Sequence, residues 1–406
     1  MKETHAHQVS PRERLVNVPL IIICQSYQAL SMGGIALFLP AIRADLGMTF
    51  AQGGTLAAAG TFVYAMMQIP AGYLSDRFGG KRLFVIGILG TTVLALTFGL
   101  VTEYWQAVLN QAVSGVFRAF LFAPGIRLIS AWFPPEKRAT AMGLYLIGGF
   151  SGNIVIDLAG PLLVAQFDWR FPFLVFPPLG IVTSLLLWRF GKEPAREEPQ
   201  QAVNFREVLH LFRNKLMWVC GGIQYIRLAI MMGIAFWLPS LLVEERGLSM
   251  QFAGIVNASR ALLIAPSNLI GGYISDKLGK PVLVIAVSLV VLMVTTALMV
   301  LVDNTVLLVV LVMVNAFFVQ MYFGPLFSVP VEVLGERTSG TATGFGNLFA
   351  NIGAFSFTWL LGVLKDASGS FVSGFIAVAV SCVFGLAFTA VLSKMRRDGL
   401  MEREGY

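Results

Sequence analysis

Five charged residues stand inside long apolar stretches of this chain: Arg118, Arg127, Asp157, Arg227 and Arg260. A charge deep in a lipid-spanning helix costs about 2.5–3.5 kcal/mol on insertion scales, so each needs a partner or a task. Arg118 and Asp157 are close enough in depth to neutralise one another as a pair. Arg127 lies near the end of its stretch and can reach water along its aliphatic stem. Arg227 and Arg260 then remain without an internal acid. A guanidinium fork matches the geometry of a carboxylate or phosphate, so the expected chemistry is the binding of a small anion. Arg118, Arg227 and Arg260 are the expected contacts. Asp157 is the one carboxylate deep in a stretch and is the expected proton carrier.

Other chemistries lack their residues. No Walker A loop, nucleophile–base pair or metal-ligand spacing is present, so neither an enzyme nor a metal or cofactor site is expected. His5, His7 and His210 fall in polar segments, and Cys24, Cys220 and Cys382 fall in apolar ones, where they read as small buried hydrophobes.

The elements that carry these charges follow from composition. The chain has 406 residues, 56% hydrophobic and 13% charged, with mean hydropathy +0.76. Soluble domains hold about 25% charged residues. About twenty apolar residues cross a bilayer as a helix. Twelve such runs occur, at 17–39, 52–75, 83–102, 105–131, 139–165, 171–190, 216–242, 251–275, 282–302, 305–332, 340–363 and 371–393. The polar segment 191–215 divides them into two sets of six. The expected organisation is a tail at 1–16, a six-helix bundle at 17–190, the linker, a second bundle at 216–393 and a tail at 394–406. The fold class is all-α, an integral membrane protein.

Net charge is +7, and its distribution explains it without nucleic acid. The tails, the linker with Arg189 at its border and the loops after even-numbered runs hold 21 of the 29 Lys and Arg, against four in the opposite loops. By the positive-inside rule both termini are cytoplasmic.

Gly72-Tyr-Leu-Ser-Asp76-Arg77-Phe-Gly79-Gly-Lys81-Arg82 recurs 200 residues later as Gly272-Tyr-Ile-Ser-Asp276-Lys-Leu-Gly279-Lys280. Repetition at half the chain length indicates two homologous halves. The first copy resembles the loop 2–3 signature of the major facilitator superfamily, and the second stands between runs 8 and 9 as in that family. Trp132-Phe-Pro-Pro-Glu-Lys-Arg138 and Gly335-Glu-Arg337 resemble its loop 4–5 and the counterpart of that loop. The resemblance covers the whole chain and is to bacterial organic-anion-type members. It implies two pseudo-symmetric six-helix bundles around a central cavity, alternating access, no cofactor and a monomer in the plasma membrane. It also implies that the two motif copies act as gates, with Asp76 at the start of run 11 and Asp276 at the start of run 5, where helix N-termini carry partial positive charge. On the cavity-facing runs Gln28, Tyr225 and Asn351 would join the arginines as substrate contacts.

The reading is a secondary transporter that moves a small carboxylate-type organic anion, by proton-coupled symport. A multidrug or metabolite efflux antiporter is the alternative, although Gly160-Pro161 lacks the following glycines of the antiporter pattern. A non-transporting sensor on the same scaffold is the third reading.

Overall fold

The computed structural model describes residues 11–134, 137–192, 214–326, 329 and 339–404. These are almost entirely helical. In chain order the helices are α1 (Pro11–Leu46), α2 (Phe50–Phe78), α3 (Gly80–Phe98), α4 (Tyr104–Ala119), α5 (Phe122–Ser130), α6 (Arg138–Gln166), α7 (Arg170–Phe190), α8 (Lys215–Ser240), α9 (Met250–Leu278), α10 (Pro281–Leu301), α11 (Thr305–Met321), α12 (Ser339–Ser368) and α13 (Val372–Glu404). With α4 and α5 counted as one broken span, they make the twelve expected crossings. Among the described residues, ten spans are both long and apolar enough to cross a membrane. The other two, α2 and α9, are diluted by Gly, Gln and Ser and end in the two motif copies. At 29 residues each they still exceed the hydrocarbon thickness at 1.5 Å per residue.

The chain forms two compact units: Met1–Ile42 with Phe62–Ala202, and Arg43–Thr61 with Val203–Tyr406. In unit 1, α3 packs on α7 and α4, and α5 on α6. In unit 2, α12 packs on α8, α10 on α13 and α11, and α9 on α11. Glycines set the closest crossings. A Cβ at Gly152 of α6 would overlap the Ser26 carbonyl of α1, and one at Gly353 of α12 would overlap the Tyr225 carbonyl of α8. The same crossing is thus built in both halves, as the repeat implies.

Both halves also break a helix at matching places. Pro124 lacks an N–H and crowds the carbonyl four residues back, so α4 ends before Phe120 and the chain resumes as α5. The last turn tightens, with Phe120 N donating to Phe117 O at 3.1 Å and Leu121 N to Arg118 O at 3.1 Å. The buried Tyr145 hydroxyl of α6 points between Leu121 O and Gln25 Oε1, each 2.8 Å away. Pro325 does the same to α11, which ends at Met321 and is followed by a helical turn at 323–326. Leu121 O also accepts from Gly125 N at 2.8 Å, so removing the Tyr145 hydroxyl takes away its second donor and leaves the first. Tyr145→Phe should therefore lower stability by about 0.5–1.5 kcal/mol, the usual loss for one hydrogen bond, read as an earlier melting transition.

The motif copies end α2 and α9 through glycine. Gly79 has φ +94° and Gly279 has φ +60°, a backbone that side chains resist. Gly72 and Gly272 differ, since a Cβ at either would meet nothing within 4 Å. Lys81 Nζ donates to Trp188 O at 3.0 Å and Gly191 O at 2.6 Å, placing a cation on the carbonyl end of α7. Arg77 lies over Phe78, Arg82 is exposed, and Asp276 and Lys280 are exposed at the end of α9. The side chain of Asp76, most of the expected linker, and Gly335 to Arg337 lie outside the described residues.

Candidate functional site

Each unit carries its own polar cluster beside a helix break. In unit 1, Arg118 occupies the last turn of α4, directly before the break. Its guanidinium carbon sits 5.7 Å from the centre of the Tyr64 ring of α2. Gln68 follows Tyr64 one turn along the same face of α2. A cation over an aromatic face is held by the ring quadrupole, by about 0.5–2 kcal/mol depending on solvation. Among the described residues Arg118 makes no ion pair and no hydrogen bond. The expected Arg118–Asp157 pair does not form. Asp157 is buried, 6% exposed, and has other interactions. Sequence fixes the depth of both residues but not the directions in which they leave their helices. The Tyr64 ring takes the position assigned to the acid.

Sequence reasoning passed over Tyr64. The available signal was Tyr64 and Gln68 four apart on a spanning helix, one face of α2 upstream of the motif. Gln28 lies buried on α1. Nearby, Ser26 of α1 shares a hydrogen bond with Ser151 of α6 at 3.0 Å, and the Asn153 side chain lies against Gly33. These join α1 to α6 and close that crossing with polar contacts. Arg127 is exposed on α5, as its position near a span end leads one to expect.

In unit 2, Arg227 of α8 is 4% exposed. Its Nε donates to Gln224 Oε1 at 2.8 Å and its Nη1 to Gln320 Oε1 at 3.2 Å, and its guanidinium carbon is 4.7 Å from the centre of the Phe323 ring. Gln320 and Phe323 flank the break after α11, so the arginine ties α8 to that break. Tyr322 is fully buried and close enough to Arg227 to interact electrostatically. Among the described residues, the buried Tyr322 hydroxyl and Gln224 Nε2 have no hydrogen-bond partner. A buried unpaired donor costs about 1–3 kcal/mol. The cluster therefore holds one positive charge, two unused polar groups and, among the described residues, no carboxylate paired to Arg227.

Arg260 of α9, expected to lack an internal acid, is buried and meets a neutral side chain. Its Nη1 donates to Asn257 Oδ1 at 3.3 Å, one turn back on α9, and it has further interactions. Asn257 stands three residues before Arg260, so the two share one face of α9. Tyr225 and Asn351 are engaged as well. The Tyr225 hydroxyl shares a 2.8 Å hydrogen bond with Ser356 of α12, and Asn351 Nδ2 donates to Asn347 O at 2.8 Å. Asn315 of α11 donates to Thr295 and Thr296 of α10, each at 3.0 Å, and so joins those two helices.

Comparison with known proteins places these features in context. A family model described as Major Facilitator Superfamily matches residues 21–358. The chain is 23% identical to the D-galactonate transporter of Escherichia coli O6:H1 over 96% of its own length and 97% of that protein. It is 25% identical to the hexuronate transporter of Bacillus subtilis over 95% and 94%. Among solved structures, a bacterial homolog to the human lysosomal transporter Spinster, in an inward-facing and unoccupied conformation, matches with TM-score 0.82. That match has 18% identity and covers 96% of this chain and 99% of that one.

Proposed function

Given that the chain belongs to the Major Facilitator Superfamily, a family of membrane transporters and not of enzymes, we propose that it moves sugar acids, monocarboxylates such as aldonates and uronates, by proton-coupled symport. The single observation that carries the anion reading is Arg118. It is a guanidinium inside a spanning helix, next to a helix break, with an aromatic ring beside it and, among the described residues, no protein acid on it. Broken helices in repeated halves are where transporters of this kind bind their cargo. A carboxylate supplies the missing charge and accepts the fork of donors. Arg227, with Gln224 and Tyr322, gives the second half a cation and spare hydrogen-bonding groups of the kind that a polyhydroxylated body uses. The names of the two relatives, a D-galactonate and a hexuronate transporter, support the same substrate class.

Arg260, Tyr225, Gln28 and Asn351 complete the proposed contacts, with Arg260, Tyr225 and Asn351 exchanging their present hydrogen bonds for substrate oxygens. Asp157, a buried carboxylate in the same unit as Arg118, is the proposed proton carrier. Both copies of the glycine–aspartate motif are the proposed inner gates. The Lys and Arg distribution supports cytoplasmic termini in a bacterial inner membrane, and the protein acts as a monomer.

Reconstitution tests this. Vesicles with an acidic exterior should accumulate labelled D-galactonate or D-glucuronate and not D-galactose. Collapsing the pH difference should remove accumulation while leaving exchange. Equal uptake of the neutral sugar, or of none of the three, would sink the sugar-acid reading.

A further inference from the structure

The loop between α1 and α2 lies at the end of α1 remote from Pro11, and residues Arg43–Thr61 around it belong to unit 2. The start of α2 explains how they are held. A helix begins with backbone N–H groups that have no partner inside the helix. Here Thr49 Oγ1 accepts from Gln52 N at 3.2 Å, Gln52 Oε1 accepts from Thr49 N at 2.9 Å, and Thr49 O accepts from Gly53 N at 3.0 Å. This local capping box leaves the N–H groups of Phe50 and Ala51. Both are taken by one residue of α12: Phe50 N donates to Asp366 Oδ1 at 2.9 Å and Ala51 N to Asp366 Oδ2 at 2.6 Å. An acid near the carboxyl end of its own helix is poorly placed for that helix, and well placed for the amino end of another.

The surroundings are built to the same purpose. Arg43 Nη1 meets Glu244 Oε1 at 2.8 Å, and its guanidinium carbon lies 3.3 Å from the centre of the Phe50 ring. Lys365 Nζ meets Glu245 Oε2 at 2.8 Å and approaches the same Phe50 ring at 5.3 Å. The two adjacent glutamates, on the π-helical turn Leu241–Glu245 that continues α8, reach different partners. Glycine lets the backbones close. A Cβ at Gly54 would sit 2.9 Å from Thr358 O, and one at Gly362 would overlap the Phe50 carbonyl.

We propose that Asp366 and Arg43 form an outer latch that holds residues 43–61 on α8 and α12, and that alternating access requires it to open. The segment is continuous in the chain with the rest of α1 and α2, which belong to unit 1. Asp366 would thus do for the outer end of α2 what Asp76 is expected to do for the inner end of α12. The inference rests on the transport reading above, but its test needs no substrate.

The probe is the substitution Ala58→Cys. Ala58 is 8% exposed and lies one turn beyond Gly54 on the same face of α2. The native Cys24, Cys220 and Cys382 are buried, and the protein without Ala58→Cys gives the baseline. Labelling of the introduced thiol by a polar maleimide in purified protein should speed up about three- to tenfold on Asp366→Ala, the range expected for loss of a helix cap. Arg43→Gln, which leaves the cap in place, should also speed it up, and it carries the test if Asp366→Ala does not fold. Arg246→Gln, which breaks the Arg246–Asp303 pair instead, should leave the rate unchanged. Unchanged labelling in both latch variants, or the same acceleration in all three, overturns the latch. A protein that labels as expected yet carries no sugar acid overturns the substrate reading alone.

Discussion

Arg118→Ala should lower sugar-acid uptake by roughly 150-fold in kcat/KM while leaving the melting temperature close to that of the parent protein. The size follows from removing a charged hydrogen-bonding partner from a carboxylate, about 3 kcal/mol. The small effect on folding follows from the contacts of the residue, since its one neighbouring group of note is the Tyr64 ring at 5.7 Å. Arg118→Lys should recover part of the rate, because the charge remains and the planar fork is lost. Tyr64→Leu should raise KM more than it lowers kcat if the ring serves to orient the guanidinium. A loss of folded protein in Arg118→Ala, with uptake normal in the fraction that folds, would make the residue structural.

The second large effect is expected at a position with no charge. Gly353→Val should prevent α12 from seating on α8, because even a Cβ there overlaps the Tyr225 carbonyl. Overpacking of side chains usually costs about 1–3 kcal/mol, and a clash with backbone cannot be relieved by a rotamer change, so about 3 kcal/mol or more is expected. Little folded protein should survive extraction from the membrane. Gly152→Val should act likewise through Ser26. Gly72→Ala and Gly272→Ala are the matched controls, since open space surrounds both. They should melt normally, so any loss of transport in them reports on the motif and not on packing. Normal melting of Gly353→Val, measured by fluorescence-detected size exclusion after heating, would remove the argument.

Much of the fold was legible because a bilayer asks so little of a helix. Length, apolarity and the 200-residue repeat gave the twelve spans, the two helices weakest in apolarity, α2 and α9, among them. The breaks in α4 and after α11 were announced by Pro124 and Pro325, whose rings act locally. The Arg260–Asn257 contact was visible in their three-residue spacing. The arrangement around Arg118 was not visible. Which way a side chain leaves its helix depends on how that helix is rotated in the bundle, and no residue near Arg118 in sequence records it. The same holds for the outer latch. Asp366 meets Phe50 across 316 positions of the chain, and Arg43 meets Glu244 across 201. Only the capping box at Thr49 and Gln52 could have been read, and it says where the helix starts, not what completes it.

The two helix breaks, alike in origin, are finished differently. In unit 1 the Leu121 carbonyl beside the break has a hydroxyl fastened to it, whereas in unit 2 the Tyr322 hydroxyl is left idle among the described residues. A duplicated chain has thus kept the joint and changed the bolt. One half behaves as a set jaw and the other as a jaw with play, so the first offers cargo a fixed reference and the second an adjustable grip. Relatives that differ in cargo would then be expected to differ most around Tyr322 and least around Tyr145.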